Sequence, residues 1–530
     1  MATATTATTT TNDTTSKMIT TTPLQSPSKI SELCGGPQPS YQSSAWSIMS
    51  SGLEINPHNA ALISVQQPPS HLSNLVGPPP SPIITPAIYG PDKILTWSYA
   101  QMSVGAARLA SVLACHGIPP DSTMLTVIPQ SAEWGLFLWA TALRCMTIVS
   151  VMPQFLVREE KKQELKGWAG KLKPTVWVVE DEGRIEVADE IRKTSADQGE
   201  VPFLGICLGE MNRERKGWIS MADIDRMAFT EEESTPSPLE DRPDRVVHMF
   251  FTSGTTGAPK GVPKTVRNVC GSAAALSGPP TVGVILGGNF ASMASTRPYL
   301  LWRNGSTAVL PSPRFSWGDV AGAIEVCRVT DISVMRGHFS LLVGHKEFSV
   351  DRVKSLRRLC ISGELITNDF VSRARDALGG QAAVLSTFGM SEGVGLLGWR
   401  GGVPPGPLPT YKGVVSCGKP LPGAGIRIVD ERGAVVKRGE EGEMHVCSDG
   451  VFGGYMSMSS NEGDKRDAFY EDQFGQWYKT GDVAMIDEAG RVFVVGRRKE
   501  LIRNVSGIIH PHVIESCLNA EFNVQVGPSL

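Results

Sequence analysis

The chain has 530 residues, 41% apolar and 19% charged, and its 50 basic against 53 acidic side chains leave a net charge of −3. That length allows roughly two to four domains or subdomains and a core that needs no disulfide or metal staple. The charge balance argues against a nucleic-acid or anionic-membrane binder. No run reaches the ~18 uninterrupted apolar residues of a membrane span, and no apolar-cored secretory signal opens the chain, so cytoplasm is the default location. The ten cysteines are scattered with no C-x-x-C pair, which suits a reducing compartment and gives no metal signature. His510 and His512 are the only close histidine pair and read as a turn.

Residues 1–45 begin with a threonine-rich run and continue in Ser, Pro and Gly, and are expected to be a disordered leader. A Pro-rich stretch, 66–91, reads as a surface insertion. A regular alternation follows. The spacing predicts a helix from Val104 to His116 stopped by Gly117, a strand from Met124, and a buried helix over 132–143. Next come a strand at 147–152, a charged helix at 158–172 and a strand at 175–179. Such alternation implies a largely parallel α/β sheet. The acidic stretch 230–245 reads as a loop, and Val246 to Phe251 as a buried strand. Beyond about Gly413, short strands and Gly-rich turns predict a small β-rich subdomain, about 413–498.

Directly after the strand ending at Phe251 comes Thr252-Ser-Gly-Thr-Thr-Gly-Ala-Pro-Lys-Gly261. Gly254, Gly257 and Gly261 let backbone N–H groups approach an anion closely. Thr252, Ser253, Thr255 and Thr256 add hydroxyl donors, and Lys260 adds charge, so a polyphosphate is the natural guest. A Walker A loop requires Gly-Lys followed by Ser or Thr. Here Lys260 lies between Pro259 and Gly261, which excludes a P-loop NTPase.

This string resembles the phosphate loop of the adenylate-forming superfamily, which includes acyl-CoA synthetases, aryl-CoA ligases, luciferases and peptide-synthetase adenylation domains. Three further matches follow in the family's order: Ser386-Thr-Phe-Gly-Met-Ser-Glu-Gly393, Trp477-Tyr-Lys-Thr-Gly-Asp482 and Gly496-Arg-Arg-Lys-Glu-Leu-Ile-Arg503. The likeness spans about Ala45 to Glu515. It implies an α/β adenylate-forming fold: a large N-terminal domain of two α/β subdomains plus the β-rich subdomain, within 46–498. A hinge at Lys499 opens only a remnant of a small C-terminal domain, 499–530.

The resemblance also implies roles. Phe388, flanked by Thr387, Gly389 and Met390, would stack on adenine, with Ser362, Gly363 and Glu364 lining the adenine pocket. Ser391 would donate to the α-phosphate and Glu392 would hold Mg²⁺. Asp482 would accept the ribose hydroxyls, and Arg497 would contact ribose or phosphate. Lys260, Ser391 and Glu392 are the expected catalytic set. The implied chemistry uses ATP and Mg²⁺ to activate a carboxylic acid, then transfers the acyl group to a thiol, coenzyme A or a carrier protein. Phe290, Met293, Phe339, Gly393 and Val394 would line an acyl pocket suited to an apolar acid, aryl or medium-chain. No lysine follows Lys499, where relatives carry one that contacts the carboxylate. Loss of one such contact costs on the order of 10²–10³ in rate. The alternative expectation is therefore a nucleotide- and acyl-binding protein of little turnover.

Overall fold

In the computed structural model the described residues are 29–78, 94–195, 202–252, 260–400, 402–403, 406–456, 468–504 and 507–514. There are two seven-stranded sheets, and the strands expected from the alternation over 94–251 all fall in the first. The first runs in the order Lys260–Thr265, Val246–Thr252, Thr147–Ser150, Thr123–Val127, Val176–Val179, Leu204–Cys207, Trp218–Ser220. Every pairing in it is parallel except the edge pair Lys260–Thr265 with Val246–Thr252. The second runs Ala383–Ser386, Arg358–Ile361, Asp331–Val334, Val282–Val284, Thr307–Leu310, Ala60–Ser64, Leu95–Ser98, again parallel but for one antiparallel edge.

A shared helical layer lies between the two sheets. Helix Ala132–Leu143 is buried at all twelve positions because it touches both sheets, which is why its sequence is apolar all round. Trp139 on this helix meets Trp46 and Trp302 edge-on, each at 5.6 Å between ring centroids. Truncating such a fully buried tryptophan costs about 3–5 kcal/mol. Helix Tyr99–Cys115 starts five residues before the periodicity suggests, because Ser98 and Gln101 form a reciprocal capping box.

The third sheet is antiparallel and six-stranded, in the order Glu32–Cys34, Gly425–Val429, Glu441–Cys447, Gly475–Ile486, Phe469–Asp472, with Val492–Arg497 also paired to Gly475–Ile486. It forms the expected β-rich unit. Its edge corrects one expectation: the leader assigned to 1–45 contributes a strand. Glu32–Cys34 pairs with Gly425–Val429, and Arg427 Nε contacts Glu32 Oε2 at 2.8 Å. Composition could not show this, because the partner strand lies almost 400 residues away. Residues 1–28 of the leader and 79–91 of the Pro-rich stretch lie outside the described residues.

Candidate active site

The phosphate-loop sequence joins the two strands of the antiparallel edge pair, with Thr252 opposite Lys260. Ser253, Gly254, Thr255, Thr256 and Gly257 lie outside the described residues; the two ends of the loop do not. Both ends open into a cavity of about 2230 Å³, which also takes in Ser391 and Glu392. The segment ending at Met456 extends the edge: Met456 N–H donates to the Gly261 carbonyl at 2.8 Å. Tyr455 is thereby set beside the lysine, whose Nζ lies 5.1 Å from the centre of its ring.

Tyr455 Oη donates to Glu392 Oε1 and lies 3.3 Å from Tyr478 Oη. Glu392 sits in a tight turn closed by reciprocal backbone bonds between Met390 and Gly393, at 2.9 and 3.1 Å. Phe452 N–H bonds the Glu392 carbonyl at 2.8 Å. The carboxylate is thus fixed at both backbone and side chain. Tyr455 was missed by sequence reasoning; its only signal is the Gly453-Gly454 pair before it. Burial and the neighbouring Glu392 carboxylate push its phenol well above the ordinary range.

Asp482, on strand Gly475–Ile486 in register with Arg497, lies buried behind the cavity wall formed by Thr480, Gly481 and Arg497. Arg497 Nε meets Asp482 Oδ1 at 3.0 Å, and Thr480 Oγ1 accepts the Asp482 N–H at 3.0 Å. The second carboxylate oxygen, Oδ2, is buried and has no partner among the described residues. Burial pushes this carboxyl up to about 6, with Arg497 pulling the other way. An orphan buried acceptor is costly in the free protein.

Thr387, Phe388, Gly389, Met390, Ser362, Gly363, Arg497 and Lys499 also line this cavity. Ser362 Oγ lies 3.5 Å from Met293 Sδ. Glu364 is not on the lining; its Oε2 accepts the Gly337 N–H at 2.9 Å. Of the expected acyl-pocket residues, Met293 and Val394 line the cavity. Phe290 folds over Gly288, whose added Cβ would lie 2.0 Å from its ring. Gly393 is spent on the turn. Phe339 corrects an expectation: it is buried in the outer core against Phe370, at 6.0 Å, because helix Arg336–Val343 turns that side inward.

A second residue missed from sequence is Lys264. It is fully buried on the same face of its strand as Lys260, opposite His248, and its Nζ has no partner among the described residues. Burial holds its ammonium down at about 7, and the negative Glu392 opposes that shift. No strand signal distinguishes a buried lysine from an exposed one.

Residues 82–456 match the family described as AMP-binding enzyme, and the chain belongs to that family. An acyl–CoA ligase of Pestalotiopsis microspora is 26% identical over 492 residues, covering 90% of this chain and 82% of the relative. A salicyl-AMP ligase / salicyl-S-ArCP synthetase of Mycobacterium tuberculosis is 29% identical, covering 76% and 68%. The solved anthranilate CoA ligase AuaEII, in complex with anthranoyl-AMP, superposes with a TM-score of 0.70 at 20% identity, covering 92% and 84%. That likeness shows the adenylate-forming fold. The protein is an enzyme of the ligase class.

Proposed function

We propose that this enzyme activates a carboxylic acid with ATP as an acyl-adenylate and passes the acyl group to the thiol of coenzyme A. The observation that carries the reading is that one cavity joins Lys260, Tyr455 and Glu392 to Arg497, which is paired with the buried Asp482 behind it. Phe388 offers a flat face for adenine, and the orphan Asp482 Oδ2 accepts a ribose hydroxyl. Lys260 places a cation where the triphosphate enters, and Ser391 donates to the α-phosphate.

In the first step an oxygen of the acid attacks the α-phosphorus in line, the bond to the β-phosphate breaks, and pyrophosphate leaves. The residues contribute position and charge. In the second step the thiol sulfur attacks the acyl carbon, its proton goes to solvent, and AMP leaves. Mg²⁺ fits the donor chemistry at Glu392, an oxygen ligand that Tyr455 holds in place. Among the described residues no cluster of three ligating side chains could hold a metal. When bound, the ion neutralises charge on the substrate phosphates. Lys499, in the short turn Arg498–Glu500 that ends strand Val492–Arg497, serves as the hinge to the residues beyond.

The name of the mycobacterial relative favours a second acceptor, the thiol of a carrier protein. One assay separates them: a carboxylic-acid panel with ATP and either coenzyme A or a phosphopantetheinylated carrier, read as AMP release. Acid-dependent AMP release with coenzyme A supports the first reading. Release only with the carrier supports the second, and none with either acceptor refutes the thiol-transfer step.

A further inference from the structure

Beyond the nucleotide, the cavity continues as a channel between one face of helix Ser292–Arg303 and alternate residues of three parallel strands. Register sorts the sheet side into rungs. Met335, Ser362 and Thr387 form the rung at the nucleotide end. Ser333, Cys360 and Leu385 form the next, and Asp331, Arg358 and Ala383 the last. Successive rungs are ~6.7 Å apart, since each is two strand residues further on. The opposite face of these strands is packed into the apolar core, so the polar character of this face is specific to the channel.

Arg297 reaches across the lower rungs from the helix. Its Nη1 donates to Ser333 Oγ at 2.6 Å and its Nη2 to Asp331 Oδ1, while Arg358 Nε donates to Asp331 Oδ2. One buried carboxylate therefore answers two guanidiniums, and both of its oxygens are taken. Burial pushes the Asp331 carboxyl up, but the two arginines outweigh it and hold it below the ordinary range. Arg297 Nε is buried with no partner among the described residues. A purely structural ion pair needs neither the second arginine nor a spare buried donor. Arg357 adds another cation to the lining, beside the rung that carries Asp331 and Arg358.

Resting on the acid-activating reading above, we propose that the acid taken by this enzyme carries a second anionic group, and that Arg297 binds it. The activated carboxylate lies by Ser362 and Thr387, and the second group lies one to two rungs down the channel, ~7–13 Å away. This replaces the apolar acid expected from sequence with a dicarboxylic or similarly dianionic one. Arg297 supplies the charge-assisted donor, and Ser333 and Asp331 orient it.

Calorimetric titration of the AMP-bound full chain with adipate against hexanoate, and suberate against octanoate, tests this. Wild type is expected to prefer one of the diacids over its matched monoacid by on the order of tenfold or more, less so at high salt. Arg297→Met is expected to lose that preference while still binding the monoacid; a merely structural loss would weaken both alike. If Arg297→Met does not fold, Arg297→Met combined with Asp331→Asn removes the buried carboxylate with the cation, and the same loss of preference is expected. Equal, reversed or undetectable binding of the paired acids by wild type, or a preference that survives either variant, overturns the assignment. Pyrophosphate exchange measured alongside keeps the two readings apart. Preferential diacid binding without exchange refutes the adenylation reading and leaves the Arg297 assignment standing.

Discussion

The two ends of the cavity are built on opposite electrostatic plans. At the proposed nucleotide end the key groups are acidic: Glu392 is held by a neutral tyrosine, and Asp482 keeps one oxygen without a partner among the described residues. At the far end, two guanidiniums share one carboxylate, and a guanidinium N–H is the group without a partner among the described residues. A turn carries Glu392 and a sheet edge carries Lys260 at the first end; regular strands and one helix carry the second. On the proposed reading, the difference teaches that binding capacity is stored as buried polar atoms of opposite kind, unpartnered among the described residues. Each costs stability until its ligand arrives.

The largest expected effect is at Glu392. Glu392→Ala should lower acid-dependent turnover by on the order of 10²–10³-fold, and Lys260→Ala by about tenfold or more, in steady-state AMP release. Wild-type rates in either variant would remove that residue from the site. Asp482→Asn should weaken AMP binding about tenfold, measured by calorimetry. The sign of its pH dependence is fixed by burial. The folded carboxyl titrates at about 6, above its ordinary value, so Asp482 contributes stability that is present at low pH and lost as pH rises through about 6. AMP affinity should run the other way, rising through the same range as the carboxylate ionises. In Asp482→Asn that rise should vanish, and the melting temperature at neutral pH should not fall.

Two smaller effects separate the cavity from its scaffold. Gly205→Ala, far from either end, places a Cβ 2.1 Å from the Trp218 ring. It should cost about 1–3 kcal/mol in denaturant unfolding while leaving the KM for ATP unchanged. Phe339→Leu should cost only about 1 kcal/mol and leave acid preference untouched, since that ring packs on Phe370 in the outer core. A changed acid profile would return Phe339 to the channel wall.

The nucleotide end was the more legible in the sequence because its chemistry is local. Glycines, hydroxyls and one lysine within ten residues announce an anion cradle, and Asp482 stands in a motif beside its glycine. The strand–helix alternation over 94–251 announced the first parallel sheet for the same reason, whereas the second followed only from the family resemblance. What stayed hidden depends on contacts distant in the chain. Arg297 looks like surface charge on a mixed helix until Asp331 and Ser333 are brought under it. Tyr455 has meaning only beside Glu392, 63 residues earlier. Strand Glu32–Cys34 is invisible until Gly425–Val429 offers it an edge.

The most direct measurement is acid-dependent exchange of labelled pyrophosphate into ATP by the full chain, with no thiol present. The account predicts exchange that requires both acid and Mg²⁺ and is lost in Glu392→Ala. Exchange that ignores the acid, or an unimpaired Glu392→Ala, would contradict it.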